Sequence, residues 1–263
     1  MDIQHGRYAH FTAEERPFVA RVEDWLERAL RNRPVCTPFL DPRQAFIVQA
    51  LATHRGVACF FHGGHPQAER KRAWLSLWDP GPLMEDDFGL ALLQAEPHSA
   101  ASDVEHRQYL GSLLNTGMKR DKIGDLWLVP PERKAAQVVV AAEVADYLTL
   151  HWTKVGKFSM HVKRIPWSEL VPPQVDVETF SANLSSLRLD AFVAEVCRLS
   201  RAKAVQLVKE QAVRVNWQVA TEPDWLLQVG DRVSIRKFGR FQLLAVDGMS
   251  RKGRWRVQVG KTV

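Results

Sequence analysis

Residues 187–217 read LRLDAFVAEVCRLSRAKAVQLVKEQAVRVNW, and the architecture of the C-terminal part of the chain can be predicted from this segment. Its first apolar side chains recur at helical spacing: Leu189, Phe192, Val193 and Val196. Such a stripe predicts an amphipathic helix with one buried face. Arg188 falls off the stripe at the start of the helix, so we expect it to face water or a ligand.

The second half of the stretch predicts another helix and then a strand. Ser200 can accept a hydrogen bond from an orphan backbone N–H group, which makes it a good N-cap. The apolar stripe that follows is Ala204, Val205, Leu207 and Val208, and the opposite face holds Lys203, Gln206 and Lys209. Val213 and Val215 then alternate with Arg214 and Asn216, as in a strand with one buried face. Packed faces that alternate with outward cations are typical of a small RNA-binding module.

The positive charge of the chain is concentrated in this region. The 263 residues include 36 Lys+Arg and 30 Asp+Glu, a net charge of +6. Residues 181–263 contain 15 Lys+Arg and 7 Asp+Glu, a net charge of +8. Residues 1–180 contain 21 Lys+Arg and 23 Asp+Glu, a net charge of −2. A localised basic surface attracts the phosphate backbone of nucleic acids. A solubilising surface is the alternative interpretation.

Several short motifs in this region resemble an RNA-binding domain named after the fourth small-subunit ribosomal protein, the S-four domain. They are RLD at 188–190, SR at 200–201, Ala204, VRVN at 213–216 and GDRV at 230–233. The glycines usual for that domain are replaced by Gln211 before the strand and by Trp217 after Asn216. Glycine there normally supplies a positive φ, so the geometry of the hairpin turn is open at this point.

The rest of the chain predicts two further domains. Residues 1–80 are expected to form a helical domain with a β-hairpin, in which Asp41 caps a helix that has Pro42 at its first position. We expect its helices over 18–30 and 42–56 and its strands over 57–61 and 73–78. Residues 81–166 predict a ferredoxin-like, RNA-recognition-like βαββαβ domain. Its elements are expected over 88–93, 104–114, 126–129, 137–140, 143–153 and 157–162.

The predicted fold class is therefore α+β. Residues 167–184, which begin beyond the middle domain and contain Pro172-Pro173, are interpreted as a linker. Residues 185–263 form the S-four-type module, which we expect to finish with strands over 232–235, 241–246 and 255–259. The third strand of the middle domain offers no aromatic ring to a base, so we expect that sheet to act as a scaffold or to contact partners through its loops.

Other features exclude several classes of protein. The N-terminus lacks the order of a signal peptide and no apolar run is long enough to span a bilayer, so we expect a cytoplasmic protein without a membrane partner. Three dispersed cysteines argue against disulfides and zinc ribbons. His62 and His65 favour a hairpin turn over a metal site. The charged loop with Asp121 and Asp125 is either a docking site or a turn. We expect neither a metal nor a cofactor.

Four longer blocks resemble the bacterial YlmH family over nearly the full length. They are TPFLDPRQ at 37–44, AERKRA at 68–73, GMKRDKIGD at 117–125 and SSLRLD at 185–190. The resemblance implies a non-enzymatic factor that binds the large ribosomal subunit when a peptidyl-tRNA is stranded on it and supports C-terminal alanine tailing in quality control. It implies large-subunit RNA, peptidyl-tRNA and the subunit as partners, with the alanine-tailing factor as a further candidate.

Matching motif positions, together with charge, give the residues expected to contact RNA. They are Arg188, Arg201, Lys203, Lys209, Arg214, Asn216, Trp217, Arg236, Lys237 and Arg240. Arginine suits this role because its planar fork grips phosphate oxygens and stacks on bases.

Two other classes of function stay open. S-four domains also target RNA-modifying enzymes, although residues 1–165 contain no recognisable nucleophile or nucleotide-binding motif, and we expect no catalytic residues. A docking protein in cell division or in membrane-complex assembly is the third class, with the basic surface meeting an acidic protein.

Overall fold

The structure is a computed structural model that describes residues 11–98, 104–129, 135–174, 177–250 and 253–262. The chain divides into two units, Met1–Pro173 and Gln174–Val263, and each is described by itself.

The first unit begins with two helices and a small sheet. Its elements are α1 (Arg16–Leu30), β1 (Val35–Cys36), α2 (Pro42–Arg55), β2 (Ala58–His62) and β3 (Arg72–Ser76). The Asp41 carboxylate accepts from the Gln44 amide, the Gln44 side chain accepts from the Asp41 amide, and Gly56 ends α2 in the left-handed conformation. The helical part with a hairpin is confirmed. The strands lie in the order β1-β3-β2. Strand β1 has only two residues, too few for the alternation of buried and exposed side chains by which a strand is predicted.

The middle of this unit has the βαββαβ order that the sequence predicts. Its elements are β4 (Leu90–Pro97), α3 (His106–Leu114), β5 (Ile123–Leu128), β6 (Ala136–Ala141), α4 (Ala142–His151), β7 (Lys154–Val155) and β8 (Phe158–Ile165). All neighbouring strands are antiparallel, in the order β5-β6-β4-β8-β7. The ferredoxin-like arrangement is confirmed, with the short β7 as an additional edge strand.

Both faces of this middle sheet are buried. One packs on α3 and α4 around Tyr109 and Trp152. The other packs on apolar side chains from before and after the sheet, among them Phe39, Phe88 and Trp167. Gly124 on β5 makes room for this layer, because a Cβ there would lie 2.7 Å from Cε1 of Phe39. The face with which related folds stack bases is therefore not available in this protein.

The second unit is a six-stranded sheet with two helices. Its elements are β9 (Val177–Leu184), α5 (Leu189–Val196), α6 (Arg201–Lys209), β10 (Val213–Val215), β11 (Gln218–Val219), β12 (Arg232–Ile235), β13 (Gly239–Met249) and β14 (Trp255–Thr262). The strands lie in the order β11-β10-β12-β13-β14-β9. The helices pack on one face of the sheet, around Phe192 and Val208.

The interpretation of 167–184 as a linker is wrong for residues 177–184. They form β9, which pairs antiparallel with β14 along its whole length, from Val177 opposite Thr262 to Leu184 opposite Trp255. Only Ala182 and Leu184 of this strand are buried. Phe180, Ala182 and Leu184 alternate along β9 and contact the core, but the partner strand β14 is distant in sequence, so the local pattern does not identify the pairing.

Candidate nucleic-acid interface

A buried carboxylate organises the start of the two helices in the second unit. Asp190 lies in the first turn of α5 with a side chain only 3% exposed. Arg188 donates to it from Nε (3.3 Å) and Nη2 (3.1 Å), and Arg201 donates from Nη2 (2.9 Å). A second nitrogen of Arg201, Nη1, donates to Ser185 Oγ at 3.0 Å. The two arginines thus converge on one anion although they lie on different helices.

The electrostatics of this cluster favour the ionised form of Asp190. Burial by itself raises the pKa of Asp190, but the hydrogen bonds from Arg188 and Arg201 outweigh it and hold that pKa below the ordinary carboxyl value. The side chains of Arg188 and Arg201 remain 40% and 44% exposed. Each guanidinium has five N–H donors and uses only some of them inside the protein. The cluster therefore presents two positioned cations to solvent.

Helix α6 adds exposed lysines to this side of the unit. Ser200 caps the helix, since its Oγ accepts from the Lys203 amide at 3.4 Å. Ala204 and Val208 are buried against the sheet, whereas Lys203 and Lys209 are exposed. These four cations, Arg188, Arg201, Lys203 and Lys209, belong to the helical side of the sheet and are called the helix-side set.

The β10–β11 hairpin adopts the geometry that glycine usually provides, without glycine. Asn216 and Trp217 form its two-residue loop with φ of 48° and 65°, and Gln211 before β10 has φ of 56°. Asn216 holds the turn, because its Nδ2 donates to Asp231 Oδ1 at 2.8 Å and its Oδ1 accepts from the Arg232 amide at 3.0 Å. Asn216 is thus a positioning residue, and the question left open by the sequence is answered.

The ten predicted residues do not form a single surface. Strand alternation places Arg214 and Arg240 on the face of the sheet away from α5 and α6, because their neighbours Val213 and Phe241 are buried. Arg236 and Lys237 lie in the β12–β13 turn, where both are exposed.

The sequence patterns did not identify Asp190 as the group that holds Arg188 and Arg201. An acidic residue next to the apolar stripe of a predicted helix was the available signal.

Two of the alternative residues of the first unit, His65 and Asp125, make contacts inside the fold. His65 is buried, with its ring 5.1 Å from that of Trp127 and Nε2 3.6 Å from Asp125 Oδ2. The carboxylate of Asp125 accepts from the amides of Glu69 (2.6 Å) and Arg70 (3.1 Å). Across the described ranges, no group of three or more His, Cys, Asp or Glu side chains is arranged to hold a metal ion. None of the helices there combines the length and apolar character that a membrane crossing requires.

Comparison with known proteins agrees with this architecture. Family models match residues 14–77 ("YlmH, N-terminal"), 83–169 ("Putative RNA-binding domain in YlmH") and 187–233 ("S4 domain"). The Bacillus subtilis (strain 168) "Ribosome-associated protein quality control protein P2" is 38% identical over 252 residues, which are 95% of this chain and 96% of that protein. The solved "Cell division protein ylmH from Streptococcus pneumoniae" is 25% identical with a TM-score of 0.52, over 62% of this chain and 98% of the other.

These matches define a class of protein, the RNA-binding proteins with a C-terminal S4 domain. Within that class, the chain belongs to the YlmH family.

Proposed function

We propose that this protein is a non-catalytic factor that acts in the cytoplasm and binds large-subunit ribosomal RNA and a stranded peptidyl-tRNA. In this role it supports alanine tailing in ribosome-associated quality control, with the alanine-tailing factor as a candidate partner. The name of the B. subtilis relative supports the quality-control part of the proposal. The RNA part is supported by the Arg188–Asp190–Arg201 cluster in a region of net charge +8.

The cluster supports RNA binding because its arginines are positioned before a ligand arrives. Fixing a long side chain on binding costs about 0.5–1.5 kcal/mol. The hydrogen bonds to Asp190 already restrict both arginine side chains in the free protein, so less conformational entropy is lost when RNA binds. A guanidinium with spare donors can then take a phosphate oxygen. Lys203 and Lys209 add attraction without demanding a fixed geometry.

Sedimentation of cell lysate tests the proposal. We expect the protein to migrate with large ribosomal subunits in a density gradient, and RNA crosslinked to it in cells to contain large-subunit RNA and tRNA. Lys203→Gln with Lys209→Gln should shift the protein toward the top of the gradient, because it removes two exposed cations that form no salt bridge with the residues that the structure describes. Migration with free protein at all salt concentrations, or crosslinks to no RNA, would refute the assignment.

The same fractions separate the rival functions. An RNA-modifying enzyme would alter nucleosides of a bound transcript, which mass spectrometry of digested RNA detects. A docking protein of the kind suggested by the name of the pneumococcal relative would fractionate with a protein partner and without ribosomes.

A further inference from the structure

The sheet face away from α5 and α6 carries an arginine on each of four strands. These are Arg214 on β10, Arg232 on β12, Arg240 on β13 and Arg256 on β14, and all are exposed. Each is adjacent to a residue buried under the helices: Val213, Val233, Phe241 and Val257. Because side chains alternate along a strand, the four arginines share the other face, which we call the open arginine face.

The strand register determines the spacing on this face. Arg214 lies opposite Ser234, and Ser234 lies opposite Arg240. Neighbouring strands are about 4.8 Å apart, so the Cα atoms of Arg214 and Arg240 are separated by roughly 10 Å. Arg256 lies six residues along β14 from Thr262, the partner of Arg240, which adds roughly 20 Å along the strand. The arginines therefore follow a track long enough for several nucleotides.

The surroundings of this track favour an anionic ligand. Its remaining positions include the uncharged side chains of Ser181, Gln242 and Gln258. One exposed carboxylate, Asp247, lies beside them and accepts from Gln258 Nε2 at 2.7 Å, so arginines outnumber acidic groups on this face. Among the described residues, neither Arg214 nor Arg256 forms a salt bridge with a carboxylate. Guanidinium groups without an internal anion are suited to bind phosphate.

An aromatic ring lies at one end of the same face. The guanidinium of Arg232 lies 5.6 Å from the centre of the Trp217 ring, which brings that ring to the open arginine face. Trp217 has φ of 65° in a two-residue loop where glycine is the favoured residue. It is only half-buried, so burial in the core does not explain why a large residue occupies a glycine position. Strain of this kind persists where function requires it.

We propose that the open arginine face binds a segment of unpaired RNA, with a base stacked on Trp217 and phosphates contacted by Arg214, Arg240 and Arg256. The combination of a cationic track with an aromatic platform is the general solution for single-stranded nucleic acid, because every base has a π-face. A paired base cannot stack on the ring in this way. The inference rests on the proposed function and adds a surface distinct from the helix-side set, so that one module contacts two RNA segments.

The first test replaces Trp217 with glycine in the full chain. Trp217→Gly removes the stacking platform while providing the backbone that the turn prefers, so the melting midpoint should stay equal or rise. Affinity for a short unstructured RNA should fall about tenfold. Affinity for a fully paired RNA duplex of equal length should change less than about twofold. Fluorescence anisotropy with both labelled RNAs gives these values.

The second test removes charge from the track. Arg214→Gln, Arg240→Gln and Arg256→Gln together should reduce the slope of log affinity against log salt for unstructured RNA by about two. The matched control removes the same charge from α1 and its end, with Arg28→Gln, Arg31→Gln and Arg33→Gln, which are also exposed. The control should leave the slope unchanged. Circular dichroism should show that both variants are folded.

The outcomes distinguish this inference from the proposed function. Wild-type affinity in both open-face variants, or an equal loss on duplex and unpaired RNA, overturns the inference. If at the same time Lys203→Gln with Lys209→Gln weakens binding, the proposed function stands without it. If the wild-type protein binds neither RNA, both fail.

Discussion

Arg201 donates a 2.9 Å hydrogen bond from α6 to the carboxylate of Asp190 on α5, a group that is almost completely buried. This bond gives Arg201 two roles, since it fastens the two helices together and keeps a guanidinium exposed for a ligand. Arg188, at the N-cap of α5, binds the same carboxylate from within its own helix and also keeps a guanidinium exposed. A loss of RNA binding on mutation of either arginine therefore has to be separated from a loss of stability.

Removal of both arginines should destabilise the fold. Arg188→Ala with Arg201→Ala leaves the Asp190 carboxylate buried without a counter-charge, which should lower the free energy of unfolding by about 3 kcal/mol. Adding Asp190→Asn should restore part of this loss, because it removes the buried charge. Urea unfolding measures both effects. Lys203→Ala with Lys209→Ala is the matched control and should cost less than about 0.5 kcal/mol. Equal stability of the two double variants would contradict a structural role for the cluster.

The same carboxylate predicts a pH dependence of stability. The pKa of Asp190 is lower in the folded protein than its ordinary value of 3.8, so its ionised form contributes stability above that value. This contribution is lost as the pH falls through the folded pKa. The difference in urea midpoint between the wild type and Asp190→Asn should therefore be largest near pH 6 and narrow toward pH 3. A difference that stays constant over this range would show that the charge of Asp190 contributes nothing.

Replacing Gln211 with glycine should stabilise the protein. Gln211 is exposed and has φ of 56°, a conformation that a side chain makes unfavourable by about 1 kcal/mol or more. Gln211→Gly should raise the free energy of unfolding by about 0.5–1 kcal/mol. Gln206→Gly on α6 is the control and should lower it by a similar amount, because glycine is a poor helix former. Thermal unfolding of the two variants should give shifts of opposite sign.

Local periodicity was sufficient to predict the second unit's helices and several of its strands. The stripe with Leu189 and Phe192 predicted α5, and β12 spans the predicted residues 232–235. The pairing partners of β9, by contrast, lie some 80 positions away in the sequence, and β1 and β7 have two residues each. Elements of this kind depend on long-range backbone pairing, which no window of sequence contains.

The candidate site, too, was predictable from local sequence patterns only in part. Motif positions identified Arg188 and Arg201, but their convergence on Asp190 depends on how α5 packs against α6. The open arginine face depends on the strand order β10-β12-β13-β14, which brings together residues as distant as Arg214 and Arg256. A single sequence gives the alternation within each strand but not the register between strands.

RNA binding by the second unit, to which the helix-side set contributes four cations, should be sensitive to salt. If about five phosphates are neutralised, raising salt fourfold should weaken RNA binding on the order of a hundredfold or more. Lys203→Gln with Lys209→Gln should reduce the salt slope by about 1.4–1.8, because it removes two exposed charges that we propose contact phosphates. Anisotropy titrations at several salt concentrations measure the slope. An unchanged slope in this variant would place the phosphates elsewhere.

Phe39 should support the first unit without contributing to RNA binding. Its side chain is 1% exposed and packs over Gly124 on the covered face of the middle sheet, so Phe39→Ala should lower the free energy of unfolding by about 3–4 kcal/mol. Phe46→Ala is a matched control, because Phe46 is 60% exposed, and it should cost far less. Under conditions in which both variants are folded, their affinity for RNA should equal that of the wild type. A selective loss of RNA binding in Phe39→Ala would mean that the covered face opens to receive RNA, contrary to the expectation that this sheet is a scaffold or contacts partners through its loops.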